Sequence, residues 1–482
     1  MSLLNALRTN DTFTTNGMTT NSTSLNNCVD MFFNIGAMRG KNKSSIINLF
    51  TKAYNEDPLV AMRLLFWVRD VRGGAGERQI FKDIIKYLAT NHTETLRKNI
   101  HLISEYGRWD DLLTLIDTPL QKDVLAIIAQ SLKDGDSLLA KWLPRPAGKN
   151  IENKLRANLI RKHLGLSPKA YRKMLVENSN TVEQLMCARN FSKIDYSKLP
   201  SKAMSDLMKS FSRNDLTRFQ EYLASLQKGE TKINAGAIYP YDVLKNLKQG
   251  NNQGANLQWN ALPNYMEGNV ERIIPLVDVS GSMTCSAGGS NSLNCMDVAI
   301  SLGLYISERN IGAFKDAFIT FHANPQLLTV NGTLMERYNQ MKSSSWGGNT
   351  NLEAVFQLIL NKAVKFNVTE EEMPTTLIIL SDMQFDVATS TRYGGGSEWN
   401  PTAQQMIEKM YADAGYKMPK IVYWNLNARN TDSPVAYDKQ NTCLVSGFNT
   451  SILKNILKGK DMTPMTIMMD VVDSERYAAI TV

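Results

Sequence analysis

Asp278-Val279-Ser280-Gly281-Ser282 places a carboxylate and two hydroxyls at alternate positions directly after an apolar run. A loop that curls at this point turns all three oxygens toward one centre. Two further oxygen donors stand at comparable places. Thr350 lies in Gly347-Gly348-Asn349-Thr350-Asn351, a glycine-eased loop that opens a helix, and Asp382 follows the apolar run Leu377–Leu380 in Ser381-Asp382-Met383. Two carboxylates, three hydroxyls and water form a hard oxygen shell suited to Mg²⁺, with Mn²⁺ or Ca²⁺ as alternatives. The low protein charge leaves a coordination position for an acidic group on a partner. The plainer alternative is that Ser280, Ser282 and Asp382 simply cap the helices that follow them.

Catalytic readings of the same residues are weaker. No histidine lies near Ser280 or Ser282 in sequence, and Gly281-Ser282 does not fit the Gly-x-Ser-x-Gly elbow of a serine hydrolase. Asp278 as a phosphate acceptor would need a second aspartate two residues later, where Ser280 stands. His322 closes the run Phe318–Phe321 and reads as an ordinary strand-end histidine. The chain is therefore expected not to be an enzyme.

A second kind of chemistry is concentrated in the first half. Lys141, Arg145, Lys149, Lys154, Arg156, Arg161, Lys162, Lys169, Arg172 and Lys173 are opposed across that span by Glu152 alone. Such density on helices and turns is a footprint for polyanions, nucleic acid first among them. Trp142 and Tyr171 lie inside the stretch and are candidates for stacking on unpaired bases. The competing reading is a solvated helical face with both aromatics in the core.

The elements that must position these groups differ between the two halves. Residues 1–45 are rich in Asn, Thr and Ser and read as an extended lead-in, with a short helix around Asn27–Ile35. From residue 46 to residue 228 the apolar spacing is helical, as in Ile46, Leu49, Phe50, Ala53 and Tyr54. Short helices joined by short turns suggest stacked helical hairpins. Gly73-Gly74-Ala75-Gly76 follows a helix and lacks the Gly-Lys-Ser/Thr ending of a phosphate loop, so it reads as a tight interhelical turn. In Trp109-Asp110-Asp111 the reading is that Asp110 caps the next helix while Trp109 packs. Residues 229–271 are glycine-punctuated and Asn/Gln-rich, which predicts a connector. From residue 272 to residue 482 apolar strand-like runs alternate with amphipathic helices, predicting a mostly parallel sheet covered by helices on both faces. In such sheets ligands bind at the C-terminal ends of the strands.

Composition bounds these readings. The chain has 482 residues, 43% hydrophobic, which is enough for two or three domains with sizeable cores and excludes a disordered or collagen-like chain. No apolar run approaches the length of a membrane span, and the first residues do not read as a secretory signal. Five cysteines without a Cys-x-x-Cys pair argue against a disulfide scaffold or zinc site and for a reducing, cytoplasmic setting. The net charge of +8 averages two unlike parts. Residues 1–250 carry 37 Lys and Arg against 24 Asp and Glu, whereas residues 251–482 carry 17 against 22.

Asp278-x-Ser280-x-Ser282, then Thr350, then Asp382 resembles the metal-ion-dependent adhesion site of von Willebrand factor A (vWA) domains, with each element in order. The helical half carries a second resemblance, in Leu64-Leu65-Phe66-Trp67-Val68-Arg69-Asp70-Val71-Arg72-Gly73-Gly74 with Glu77-Arg78, in Gly107-Arg108-Trp109-Asp110-Asp111-Leu112-Leu113, in Ala140-Lys141-Trp142-Leu143-Pro144-Arg145 and in Tyr171-Arg172-Lys173. These resemble the TROVE module of the Ro autoantigen family, and more closely a sister family with viral and bacterial members. Together the two resemblances span roughly residues 10–470. They imply HEAT-like helical repeats followed by a vWA domain, small or single-stranded RNA as partner, and a cytoplasmic site of action, the host cytoplasm for a viral chain. Three functions are in competition: a non-catalytic RNA-binding protein, an assembly module that captures an acidic residue through its metal, and, least favoured, a metal-dependent phosphoester hydrolase.

Overall fold

A computed structural model describes residues 7, 9–147, 149–179, 181–228, 230–231, 238–250, 252–288, 293–321, 324–343, 350–387, 400–458 and 462–482. His322 and Gly347-Gly348-Asn349 lie outside the described residues. The fold is a helical N-terminal half followed by an α/β domain built on a six-stranded, mostly parallel sheet, as the alternation of apolar runs predicts.

Helix formation in the first half follows local chemistry. In the helix Pro58–Arg69, Asp57 accepts from the Val60 amide at 3.0 Å, and Pro58 presets the first turn. The chain then doubles back through Gly73–Gly76, with the Ala75 amide on the Trp67 carbonyl at 3.0 Å and the Glu77 amide on that of Val68 at 2.6 Å. Only glycine fits at position 74, because a Cβ there would sit 1.8 Å from the Trp67 carbonyl oxygen. The turn is interhelical, as expected. The Arg108–Leu112 segment differs from expectation. Asp111, not Asp110, accepts from the Arg108 amide at 2.9 Å, while Asp110 pairs with the Arg108 guanidinium. Asp111 also holds Arg69 at 2.7 Å, with both side chains buried.

The sheet contains β3 (Ile273–Asp278), β4 (Ala317–Phe321), β5 (Gln326–Thr329), β6 (Thr376–Ser381), β7 (Lys420–Asn425) and β8 (Thr442–Ser446); β1 (Thr12–Phe13) and β2 (Thr19–Thr20) form a separate two-stranded ribbon. The order is β5-β4-β3-β6-β7-β8, parallel except for β5 at the edge. β3 and β6 are buried along their whole length, as central parallel strands must be. The helices Cys295–Arg309 and Leu334–Lys342 pack together beside β3 and β4, and Leu352–Phe366 packs with Ala403–Ala414. Successive strands run outward in both directions from the centre, so the order reverses between β3 and β6.

The lead-in and the connector both pack into the fold. The lead-in over 1–45 carries the helix Asn27–Ile35 and packs on β8. The Thr14 hydroxyl bonds the Phe385 carbonyl at 2.7 Å, and the Gly36 amide bonds Ser446 Oγ at 3.1 Å. A Cβ at position 36 would meet the Ser446 backbone at 2.9 Å, so the helix end can approach the sheet only as glycine. The connector over 229–271 contains the helices Pro240–Lys248 and Asn252–Asn260. Val243, Leu244 and Leu247 supply a buried face that the Asn/Gln-rich composition obscures, and Lys248 reaches Asp297 at 2.8 Å. One hydrophobic core runs through both halves. A smaller core forms around Tyr196, Phe211 and Phe219. The chain's last residues return to the helical half: Arg476 and Tyr477 bond Asp70, and Asn99 pairs with Thr481.

Candidate metal centre

Asp278 is the last residue of β3, and Asp382 immediately follows β6. These strands are neighbours in register, Val277 opposite Leu380, so the two carboxylates emerge side by side at the C-terminal edge. This is where the strand order reverses, the point at which open α/β sheets bind ligands.

Local hydrogen bonds shape the loop. The Ser280 amide donates to Asp278 Oδ1 at 2.9 Å, which curls the chain after β3. Ser280 Oγ and Ser282 Oγ then lie 3.0 Å apart. A short 3₁₀ turn over Gly281–Thr284 follows. Thr350 is buried, and its carbonyl accepts from the Asp386 amide at 3.0 Å, which places it beside the loop carrying Asp382. Asn351 caps the helix Leu352–Phe366 through the Ala354 amide at 2.9 Å. All five oxygen-bearing residues thus belong to one edge. Asp278, Ser280, Thr350 and Asp382 are buried, and Ser282 is half-buried.

The electrostatics favour a cation. Burial raises the Asp278 carboxyl well above the usual carboxylate range, the adjacent Asp382 adds to this, and donors from Ser280 and Ser381 partly offset it. Burial likewise raises Asp382, while the Arg429 charge and the Ser282 hydroxyl pull it back. Asp382 Oδ2 is buried without a hydrogen-bond donor. Arg429 Nε lies 3.1 Å from it, within ion-pair range but not aligned as a hydrogen bond. The same guanidinium bonds the Ser282 carbonyl at 2.7 Å. A buried carboxylate oxygen with no aligned hydrogen-bond donor among the described residues, beside a second carboxylate and a hydroxyl pair, fits a hard divalent ion that would share it with Arg429. Among the described residues no cluster of three His, Cys, Asp or Glu side chains could hold a metal, so an ion here would need hydroxyl donors as well as the two carboxylates.

Sequence reasoning did not identify three neighbours of the site. Ser381 donates to Asp278 Oδ2 at 2.5 Å. Arg429 comes from the loop after β7, which only the strand order places next to β6. Asp432, in the same loop, is buried and pushed up to about 6, first by desolvation, with a contribution from Asp382. The signal for Ser381 was its position directly before Asp382; nothing local pointed to the other two.

The ten basic residues fall into two groups. Arg145 bonds the Ala140 and Leu143 carbonyls, Arg161 bonds Leu166, and Lys141, Arg156 and Lys173 pair with Glu183, Glu152 and Glu177. Lys149, Lys154, Lys162, Lys169 and Arg172 are exposed and make no ion pair among the described residues. Of the two aromatic candidates, Tyr171 does not match its expected role. Tyr171 is fully buried, its hydroxyl on the Pro144 carbonyl at 3.3 Å, because the helix Pro168–Asn178 turns that face to the core. Trp142 is half-buried, with the Arg108 guanidinium 4.0 Å from its ring centroid.

The sheet order and the carboxylate pair at its reversal define a vWA-like α/β domain joined to a helical half. Comparison with known proteins covers most of the chain. The family described as a domain of unknown function, DUF2828, matches residues 14–137 and 125–270, and a second, DUF7788, matches residues 272–478. The chain belongs to the DUF2828 family. It is similar to an uncharacterised protein of Acanthamoeba polyphaga mimivirus, at 32% identity over 96% of this chain and 87% of that protein.

Proposed function

We propose that this is a non-catalytic RNA-binding protein of the Ro/TROVE kind, its helical half holding small or single-stranded RNA and its vWA-like half holding Mg²⁺ or a similar divalent cation. The observation that carries the reading is the set of five exposed cations without an ion pair among the described residues, Lys149, Lys154, Lys162, Lys169 and Arg172, along two consecutive helices and their flanking turns. With both nearby aromatics engaged in the fold, phosphate contact supplies the affinity and base stacking contributes little. The test is sequencing of nucleic acid copurified with the protein from cells, repeated with these five residues neutralised. Defined small RNAs lost from the neutralised protein support the reading, and no RNA with either protein overturns it.

A second reading is an assembly module. The orphaned Asp382 oxygen favours it, because a metal there with so few protein charges keeps affinity for an acidic residue of a partner. Partner capture would then require both the ion and Asp278, and chelator-resistant capture would remove this reading.

A further inference from the structure

Four residues beyond Ser282, the chain forms an antiparallel bridge between Ser286 and Asn294. The Cys295 amide bonds the Cys285 carbonyl at 3.0 Å on one side of it, and the Ala287 amide bonds the Leu293 carbonyl at 3.2 Å on the other. Cys285 and Cys295 therefore stand opposite each other. Their sulfurs are 3.4 Å apart, the Cys285 thiol directed at Cys295 Sγ. Cys295 is buried at the start of its helix, whereas Cys285 is half-buried and accepts from Asn427 Nδ2 at 3.1 Å. The remaining cysteines offer no such arrangement: Cys28 and Cys443 are buried, and Cys187 is exposed in the helical half.

We propose that Cys285 and Cys295 are a redox-active dithiol, a covalent modification site that a peroxide converts to a disulfide and small thiols restore. Cys285, the more accessible sulfur, attacks one peroxide oxygen; the O–O bond breaks, and the leaving hydroxide takes the thiol proton as water. Cys295 then attacks the Cys285 sulfenic acid; the S–S bond forms, the S–O bond breaks, and the hydroxyl leaves with the Cys295 proton as a second water. Two thiols and one peroxide give one disulfide and two waters. The bond fastens the turn that carries Ser282 to the first residue of the helix Cys295–Arg309. The assignment stands on the facing sulfurs and does not depend on the metal.

The test treats the full chain with one equivalent of hydrogen peroxide, then counts thiols after denaturation and maps peptides without reduction. The five thiols of the chain should fall to three, with a Cys285–Cys295 linked peptide, and dithiothreitol should restore five. The Cys187→Ser variant removes an exposed competing thiol, and its count should also fall by two. An unchanged count, loss confined to Cys187, or Cys285 oxidised to sulfinic acid while Cys295 stays free would overturn the proposal.

Discussion

Ser381 donates its hydroxyl to Asp278 Oδ2 at 2.5 Å, tying the ends of two adjacent parallel strands across the point where the strand order reverses. The bond holds the Asp278 carboxylate in place with its other oxygen committed to the loop amide of Ser280. It also supplies a fixed donor that helps the fold tolerate the Asp278 carboxylate buried beside Asp382.

Removing one of those charges should stabilise the metal-free protein and abolish its response to metal. Burial disfavours the ionised form of Asp278, so a neutral amide of the same shape costs less at neutral pH. Asp278→Asn is expected to melt a few degrees higher than wild type in chelator, by about 1 kcal/mol on the scale of such replacements. Added Mg²⁺ should raise the melting temperature of wild type and leave the variant unmoved. A variant that still responds to Mg²⁺ would remove Asp278 from the shell.

The same carboxyls give the metal response a pH dependence. Both are raised in the folded protein, so their ionisation weakens the metal-free fold as pH rises from the ordinary carboxylate value through the raised one. A metal held here would bind the ionised pair and have to displace protons below that range. The Mg²⁺-induced gain in melting temperature should therefore be larger at pH 8 than at pH 6, and a gain that shrinks with rising pH would contradict the site.

Arg69 and Asp111 form a buried pair at 2.7 Å that fixes the turn between helices in the N-terminal half. Asp111→Ala leaves the guanidinium buried and uncompensated, which typically costs about 3–5 kcal/mol. Chemical denaturation should show a loss of that size. A loss below about 1 kcal/mol would mean that water reaches Arg69 in the variant.

Much of this was legible in sequence because it is local. Apolar runs ending in Asp278 and at Ser381-Asp382 announce parallel strands with oxygen donors at their C-terminal ends, and the Gly73–Gly76 turn announces its own break. What was not legible depends on distant packing. Arg429 reaches Asp382 only because β7 lies beside β6, and Thr14 bonds Phe385 across most of the chain with no periodic signal to predict it. Tyr171 sits among lysines in sequence yet faces the core in space, so a run of charges did not reveal which face its helix buries. The Asn/Gln-rich segment before β3 hides its helices for a related reason, since only a few residues of Pro240–Lys248, among them Val243, Leu244 and Leu247, are buried.

The central claim, that RNA is held by phosphate contacts on the exposed cations of the helical half, is tested most directly by measuring affinity for a single-stranded RNA as salt is raised. Contacts from Lys149, Lys154, Lys162, Lys169 and Arg172 predict a fall of about a hundredfold between about 50 and about 200 mM salt, from a slope of roughly 0.7 per neutralised phosphate. Changing all five to Gln should flatten that slope and weaken binding while leaving the melting temperature within about a degree, because surface substitutions away from packed contacts are nearly neutral. Affinity that does not change with salt, or that survives the five substitutions, would contradict the account.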